Sequence, residues 1–408
     1  MIPGSKHIWK KYAIAMIWLL VLLWPLLGIH ADGTLTFSET WSVWIWIAGV
    51  LLGLLMLVLA HRSSTSRMVR APVAIAMEKI NRLGKVMPGK VWMVLIISVS
   101  LLFPFLTDRY AQDVAINVLV YVCLGLGLNI VVGLAGMLDL GYIAFYGVGA
   151  YTYALLSIHY QFSFWLSLPI AACFAAIAGC IIGYPTLRMR GDYLAIVTLG
   201  FGEIVRIILN NWMELTNGPN GILGINAPGL MLPQFSNGIG FEYIYLKKLH
   251  YLYYIVLLLC VFTVIAVHRL NFSRIGRAWE AIREDETVAE LMGVNIFRLK
   301  LLAYAMGAVF GGLAGAFFAA RMRFVSPESF TFIESAMVLA MVVLGGMGSI
   351  PGIILGAMAL IVLPELFREV ELYRMLAFGA AMTVMMLFRP KGLIPAKRVG
   401  TRSEEREG

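Results

Sequence analysis

The chain has 408 residues, 60% of them hydrophobic and only 13% charged, where a soluble domain carries roughly 25% charged residues. That composition excludes a water-soluble globular protein and points to lipid as the solvent. The formal charge of +9 sits in short loops between apolar blocks, so it reads as membrane orientation and excludes nucleic-acid binding.

Apolar residues come in long blocks without strand alternation, and lipid leaves no water to satisfy open backbone groups, so the fold class is all-α. In chain order, spans are predicted at about 12–29, 41–60, 91–106, 114–132, 141–158, 164–184, 193–211, 251–268 and 301–320. After Ser335 the pattern is broken by Gly345, Gly346, Gly348, Pro351 and Gly352. This region is either one long span with a break or two short spans meeting at the glycines. A last span follows at about 372–388. The expected architecture is a polytopic integral membrane helical bundle of about 11–12 transmembrane helices, some short or broken. The organisation expected is an N-terminal extension (1–106) with three spans and a basic loop, a core (107–393) and a tail (394–408).

Lys6, Lys10 and Lys11 precede the first span, and no small-residue cleavage site follows it, so it reads as an uncleaved span. Between the second and third spans lie Arg62, Arg67, Arg70, Lys79, Arg82, Lys85 and Lys90 against one acid, Glu78, which places that loop in the cytoplasm. Counting onward puts Arg188 and Arg190, the segment 269–300 and both termini on the cytoplasmic side. Arg321 and Arg323 fall outside, where they are expected to contact something. The longest external loop, 212–250, is rich in turn formers around Asn217-Gly218-Pro219 and Pro228-Gly229; it is either a docking loop or a solvated connector.

Two segments resemble each other, VGLAGMLDLGYIAFYGVGA (132–150) and VLGGMGSIPGIILGAM (343–358). An internal repeat with broken helices near the pathway is expected of them; close packing of small residues is the alternative. Gly125, Gly127, Asn129, Gly133 and Gly136 likewise either line a route or let helices approach. Together with Gly345, Gly346 and Gly348 they are the candidate pathway or packing residues. Glu203 and Arg206 lie three apart within a span and face the same side. They either line the pathway or form a structural ion pair near the helix end. Asp139 sits between two spans beside glycines, and Asp192 reads as part of a helix N-cap.

Cys123, Cys173, Cys180 and Cys260 fall in apolar segments with no CxxC spacing and read as unpaired thiols. The six histidines lie near span ends with no HExxH spacing, and no GxSxG elbow occurs. No GxxxxGK[ST] phosphate loop occurs either. A catalytic role is therefore not expected, and no cofactor is expected on this chain.

The most informative segment is 274–300, RIGRAWEAIREDETVAELMGVNIFRLK. Glu280, Ala281, Arg283, Glu284, Asp285, Glu286 and Ala289 are expected to form one short amphipathic helix. Gly293 suits the left-handed position that stops it. This segment is similar to the coupling loop of ABC importer permeases, with Ile282 where that pattern has a second alanine. The form RAWEAIREDE resembles more narrowly the permeases of the high-affinity branched-chain amino acid system, the LivH/LivM permease family. Five further blocks agree with that family: RMRGDYLAIVTLGFGEI (188–204), GPNGI (218–222), FVSPESF (324–330), VVLGGMGS (342–349) and RPKGL (389–393). The three N-terminal spans look like the extension of the longer, LivM type.

The resemblance implies an inner-membrane permease subunit moving leucine, isoleucine or valine inward. It implies a second permease (LivH type), two ATPases (LivG and LivF types) that use ATP, and a periplasmic binding protein. Glu280 to Gly293 would receive the ATPases' motion. Rival expectations are a permease for another small amino acid or urea, and an ion-coupled secondary carrier using Glu203 or Asp139.

Overall fold

The computed structural model describes residues 100–187, 189, 191–234, 240–246, 248–366, 379 and 392–394. The expected spans at 12–29, 41–60 and 372–388, most of 91–106, the basic loop 61–90, Arg188, Arg190 and the tail beyond 394 lie outside these residues. Residues 100–106, the end of the expected third span, are helical.

The described helices, in order, are α1 (Arg109–Asn129), continued by one π-helical turn (Ile130–Leu134), α2 (Ile143–His159), α3 (Phe164–Thr186), α4 (Asp192–Asn211), a single turn α5 (Met213–Thr216), α6 (Leu249–Asn271), α7 (Arg274–Glu284), α8 (Glu286–Leu291), α9 (Ile296–Met322), α10 (Phe332–Gly345) and α11 (Ile350–Leu366). Among the described residues, six stretches are long and apolar enough to cross a membrane: Arg109–Leu134, Phe164–Thr186, Tyr193–Asn211, Leu249–Asn271, Ile296–Met322 and Pro327–Gly345. The protein is a multi-pass helical membrane protein.

Helix α9 is the centre of the bundle and packs against α1, α2 and α3. Its sequence explains why. Glycines and alanines recur every three or four residues, so neighbouring backbones come into contact where lipid supplies no hydrophobic driving force. A Cβ at Gly149 of α2 would overlap the carbonyl of Gly312, and one at Gly179 of α3 would lie 2.8 Å from the Ala308 Cβ. The Tyr142 hydroxyl donates to the Gly307 carbonyl at 3.1 Å, tying the start of α2 to α9.

The region after Ser335 is two short helices meeting at the glycines. Helices α10 and α11 pack as an antiparallel pair. A Cβ at Gly345 would press on the Gly352 backbone, and one at Gly356 on the Met341 carbonyl. The far end of α11 reaches the start of α1, where the Tyr110 hydroxyl bonds the Glu365 carboxylate. Both glycine-rich segments thus fold as helix, glycine-containing turn and helix.

Two expected spans begin late in the sequence reading. Helix α1 starts at Arg109 and α9 at Ile296, because charged residues in their first turns had read as loop. Arg298 lies beneath the Asn295 cap, whose Oδ1 accepts from the Arg298 N–H at 3.1 Å. Lys300 is buried and ion-paired with Glu286.

The end of the bundle opposite α7 and α8 holds four short strands that an all-helix reading omits. Strand β1 (Ile222–Leu223) pairs antiparallel with β4 (Phe324–Val325), and β2 (Gly229–Gln234) with β3 (Gly240–Tyr245). The loop 212–250 is therefore built structure. Tyr153 Oη donates to the Asn226 carbonyl at 2.7 Å, and Trp165 Nε1 to the Gly229 carbonyl at 3.0 Å. Arg321 and Arg323 find partners at this same end. Arg321 bonds Asp113 and Asn117, each at 2.6 Å, and Arg323 bonds the Ile225 carbonyl at 3.3 Å. All four cysteines are free thiols.

Candidate functional site

Segment 274–293 forms two helices, where one had been expected. Asp285 is extended (φ −157°, ψ 114°) and ends α7. Its Oδ1 then accepts from the N–H groups of Thr287 (2.8 Å) and Val288 (3.0 Å), capping α8. The break arises because a short carboxylate satisfies free N–H groups best from outside the helix. Gly293 stands at the left-handed position after α8 (φ +85°) as expected, where glycine carries no Cβ penalty. Ser273 caps α7 by accepting from the Gly276 N–H at 3.1 Å.

One face of this hairpin is fastened to the bundle. Trp279 is fully buried, 0% exposed, and its indole N–H donates to the Leu299 carbonyl at 2.8 Å. Ile282 and Ala289 are buried beside it. Glu286 pairs with Lys300 of α9. Arg283, expected to face a partner, turns inward: its guanidinium donates to the Gly133 carbonyl in the π-turn. A Cβ at Gly136 would lie 2.8 Å from the Arg283 Cγ, so the arginine stem runs directly over that glycine (φ +74°).

The other face is open. Ala281, Glu284, Asp285 and Val288 are exposed, and Leu291 and Met292 are 82% and 79% exposed. Glu280 is half-buried. Two large apolar side chains are thus exposed among acids, outside the membrane-spanning stretches.

The candidate pathway or packing residues separate into two groups. Asn129, 0% exposed, folds its side chain over Gly133 and accepts from the Gly348 N–H at 2.8 Å. Its Nδ2 is left without a protein partner. Gly348 (φ +88°) and Gly346 (φ +116°) form the tight turn between α10 and α11. The carbonyls of Leu344 and Gly345, free at the end of α10, accept from the N–H groups of Leu393 (2.9 Å) and Ile394 (3.1 Å). Asn129, Gly136 and Gly348 are thus brought together around the π-turn. Gly127 sits deeper, where a Cβ would lie 2.9 Å from the Phe310 Cβ and overlap the Tyr142 hydroxyl; it is a packing residue. Glu203 and Arg206 stand apart from this cluster on α4 and form an ion pair at 2.7 Å, each about a third exposed.

Asp139 lies in the turn between the π-turn and α2 and is 1% exposed. Its Oδ1 accepts from the Gly141 N–H at 2.9 Å, and its Oδ2 has no hydrogen-bond partner. Burial pushes its carboxyl up to about 6, against the pull of the Gly141 N–H. Trp279, Lys300 and Asp139's orphaned oxygen were not singled out as site features from sequence. A lone tryptophan inside a charged helix was the available signal for the first.

A bundle of glycine-zipped helices with a charged hairpin mounted between two of its spans is the architecture of a membrane permease component. The chain belongs to the family described as branched-chain amino acid transport system / permease component, whose model matches residues 110–388. It is 49% identical over 327 residues to the Escherichia coli (strain K12) protein described as high-affinity branched-chain amino acid transport system permease protein LivM, covering 77% of each chain. It is 25% identical over 310 residues to a probable LivM of Methanocaldococcus jannaschii, covering 68% of this chain and 86% of the relative. It is also 24% identical over 290 residues to the Salmonella typhimurium permease LivH, covering 67% of this chain and 91% of that relative. No solved structure matches.

Proposed function

We propose that this chain is the membrane-spanning permease subunit of an ATP-driven ABC importer that moves branched-chain amino acids (Leu, Ile, Val) inward across the bacterial inner membrane. The observation that carries the reading is the hairpin: rigidly fastened through Trp279, Arg283 and Glu286, and open through Glu284, Val288, Leu291 and Met292. A partner seated there pushes on a lever and not on a loose loop. The family and the LivM and LivH relatives support the substrate class and a second permease of LivH type. Two ATPases of LivG and LivF types hydrolyse ATP against the hairpin, and a periplasmic binding protein delivers the substrate. The hairpin and both termini face the cytoplasm, with 1–106 as an N-terminal extension, 107–393 as the permease core and 394–408 as a cytoplasmic tail.

The test is uptake by the reconstituted complex. Leucine, isoleucine or valine should enter only with ATP, the second permease and the binding protein present. Glu284→Cys should crosslink to an ATPase subunit. Uptake by this chain alone under a proton gradient would favour an ion-coupled carrier, for which the buried carboxyl of Asp139 is the group available. ATP-dependent uptake of urea or another small amino acid in place of the branched-chain set would keep the importer and replace the substrate.

A further inference from the structure

The π-turn at the end of α1 is where four segments meet. Its ring is wider than an α-helical one, closed by the i→i−5 bond from the Ala135 N–H to the Ile130 carbonyl (3.1 Å), and is followed by an i→i−6 bond from the Met137 N–H to the Val131 carbonyl (3.0 Å). The π geometry turns the Gly133 carbonyl outward, and Arg283 of the hairpin occupies it. On the inner side the Asn129 side chain spans to Gly348 of the α10–α11 turn. That turn is in turn clasped by Leu393 and Ile394. Neither Gly133 nor Gly136 has room for a Cβ against these neighbours. Single π-turns are costly irregularities that occur chiefly at functional places, and this one interrupts a helix that packs against α6, α9, α10 and α11.

We infer that this π-turn is the joint that carries displacement of the hairpin into the bundle, with Arg283 as the positioning residue that connects the two. The inference rests on the importer reading above and adds to it a route: hairpin, Arg283, Gly133, Asn129, Gly348. A hairpin that moves must either take the Gly133 carbonyl with it or break that bond. While the bond holds, α1 and the α10–α11 pair move together with whatever drives the hairpin. Trp279 and Glu286 bond the hairpin to α9, whereas Arg283 bonds it to the π-turn directly.

Two variants separate the parts of Arg283. Arg283→Met keeps an apolar stem over Gly136 and removes the donor. Arg283→Lys restores a donor to one carbonyl. In the complete transporter reconstituted in proteoliposomes, amino acid taken up per ATP hydrolysed is the reading. The expected result is an assembled complex that still hydrolyses ATP, with that ratio lowered about tenfold in Arg283→Met and partly recovered in Arg283→Lys. Hydrogen exchange on the same complex should show the Ala135 and Met137 amides exchanging faster in Arg283→Met. An unchanged ratio with unchanged exchange overturns the inference. Loss of the ATPase subunits from purified Arg283→Met also overturns it, because Arg283 would then be an ATPase contact. A wild-type complex that fails to couple ATP to uptake sinks the importer reading itself, and this inference with it.

Discussion

Replacing Asp139 with asparagine should stabilise the protein at neutral pH, and the gain should vanish in acid. The buried carboxyl has one bonded oxygen and one orphaned oxygen, and its pKa rises from an unfolded value near 3.8 to about 6. A raised carboxyl pKa means that the folded state holds the proton more tightly than the unfolded chain does. Below about pH 4 the group is protonated in both states and costs nothing. As pH rises toward 6 the unfolded chain ionises first, and folding then carries a growing penalty. Above about 6 the penalty is constant. About two pH units at 1.36 kcal/mol each make it about 3 kcal/mol. Asparagine keeps an oxygen for the Gly141 N–H and removes the charge. Thermal unfolding of both proteins in detergent, between pH 4.5 and 7.5, gives the difference directly. The variant should melt several degrees higher at pH 7.5 and by only about a third of that margin at pH 4.5, where about 1 kcal/mol of the penalty remains. A difference that does not vary with pH would refute the reasoning, since it would mean that the carboxyl titrates alike in the folded and unfolded chains.

Three further outcomes follow from the packing. Gly149→Ala puts a methyl group into the Gly312 backbone and should destabilise by about 1–3 kcal/mol or more, read as lost yield and a lower melting temperature. Trp279→Phe keeps most of the buried ring and removes its bond to the Leu299 carbonyl; it should cost about 0.5–1.5 kcal/mol and raise protease cleavage within 274–295. Asp113→Asn weakens the contact to Arg321, but Asp113 is 50% exposed. Solvent screening should hold the loss to about 1 kcal/mol or less, with uptake unchanged in a reconstituted assay.

The spans among the described residues were legible because lipid imposes a constraint that acts residue by residue: each block must be largely apolar and must satisfy its own backbone. Positions that answer to local chemistry were legible for the same reason, Gly293 among them. What failed to read was long-range. Lys300 looked like a loop charge until Glu286, fourteen residues earlier, was seen to neutralise it. Arg321 looked like a misplaced external cation, and its partners Asp113 and Asn117 lie more than 200 residues away in sequence. The strand pair between 222–223 and 324–325 is closed over a hundred residues, with two residues on each side and no period to detect. The break at Asp285 was a local signal overlooked within a run of charges, since an aspartate followed by two free N–H groups is an N-cap.

Arg283 shows why the hairpin's charges do not form one class. On a helix of 3.6 residues per turn, positions 276, 279 and 283 fall on one face, and Gly276 and Trp279 are buried there. A charge on that face must find a partner inside, and Arg283 finds the Gly133 carbonyl in the π-turn. Glu284 and Val288 lie off that face and are exposed. The hairpin is therefore two surfaces on one element, an inner one that fixes it to α1 and α9 and an outer one that is exposed, where the proposed function seats the ATPases. A lever needs both, since an outer surface without the inner fastening would move under load and leave the spans where they were.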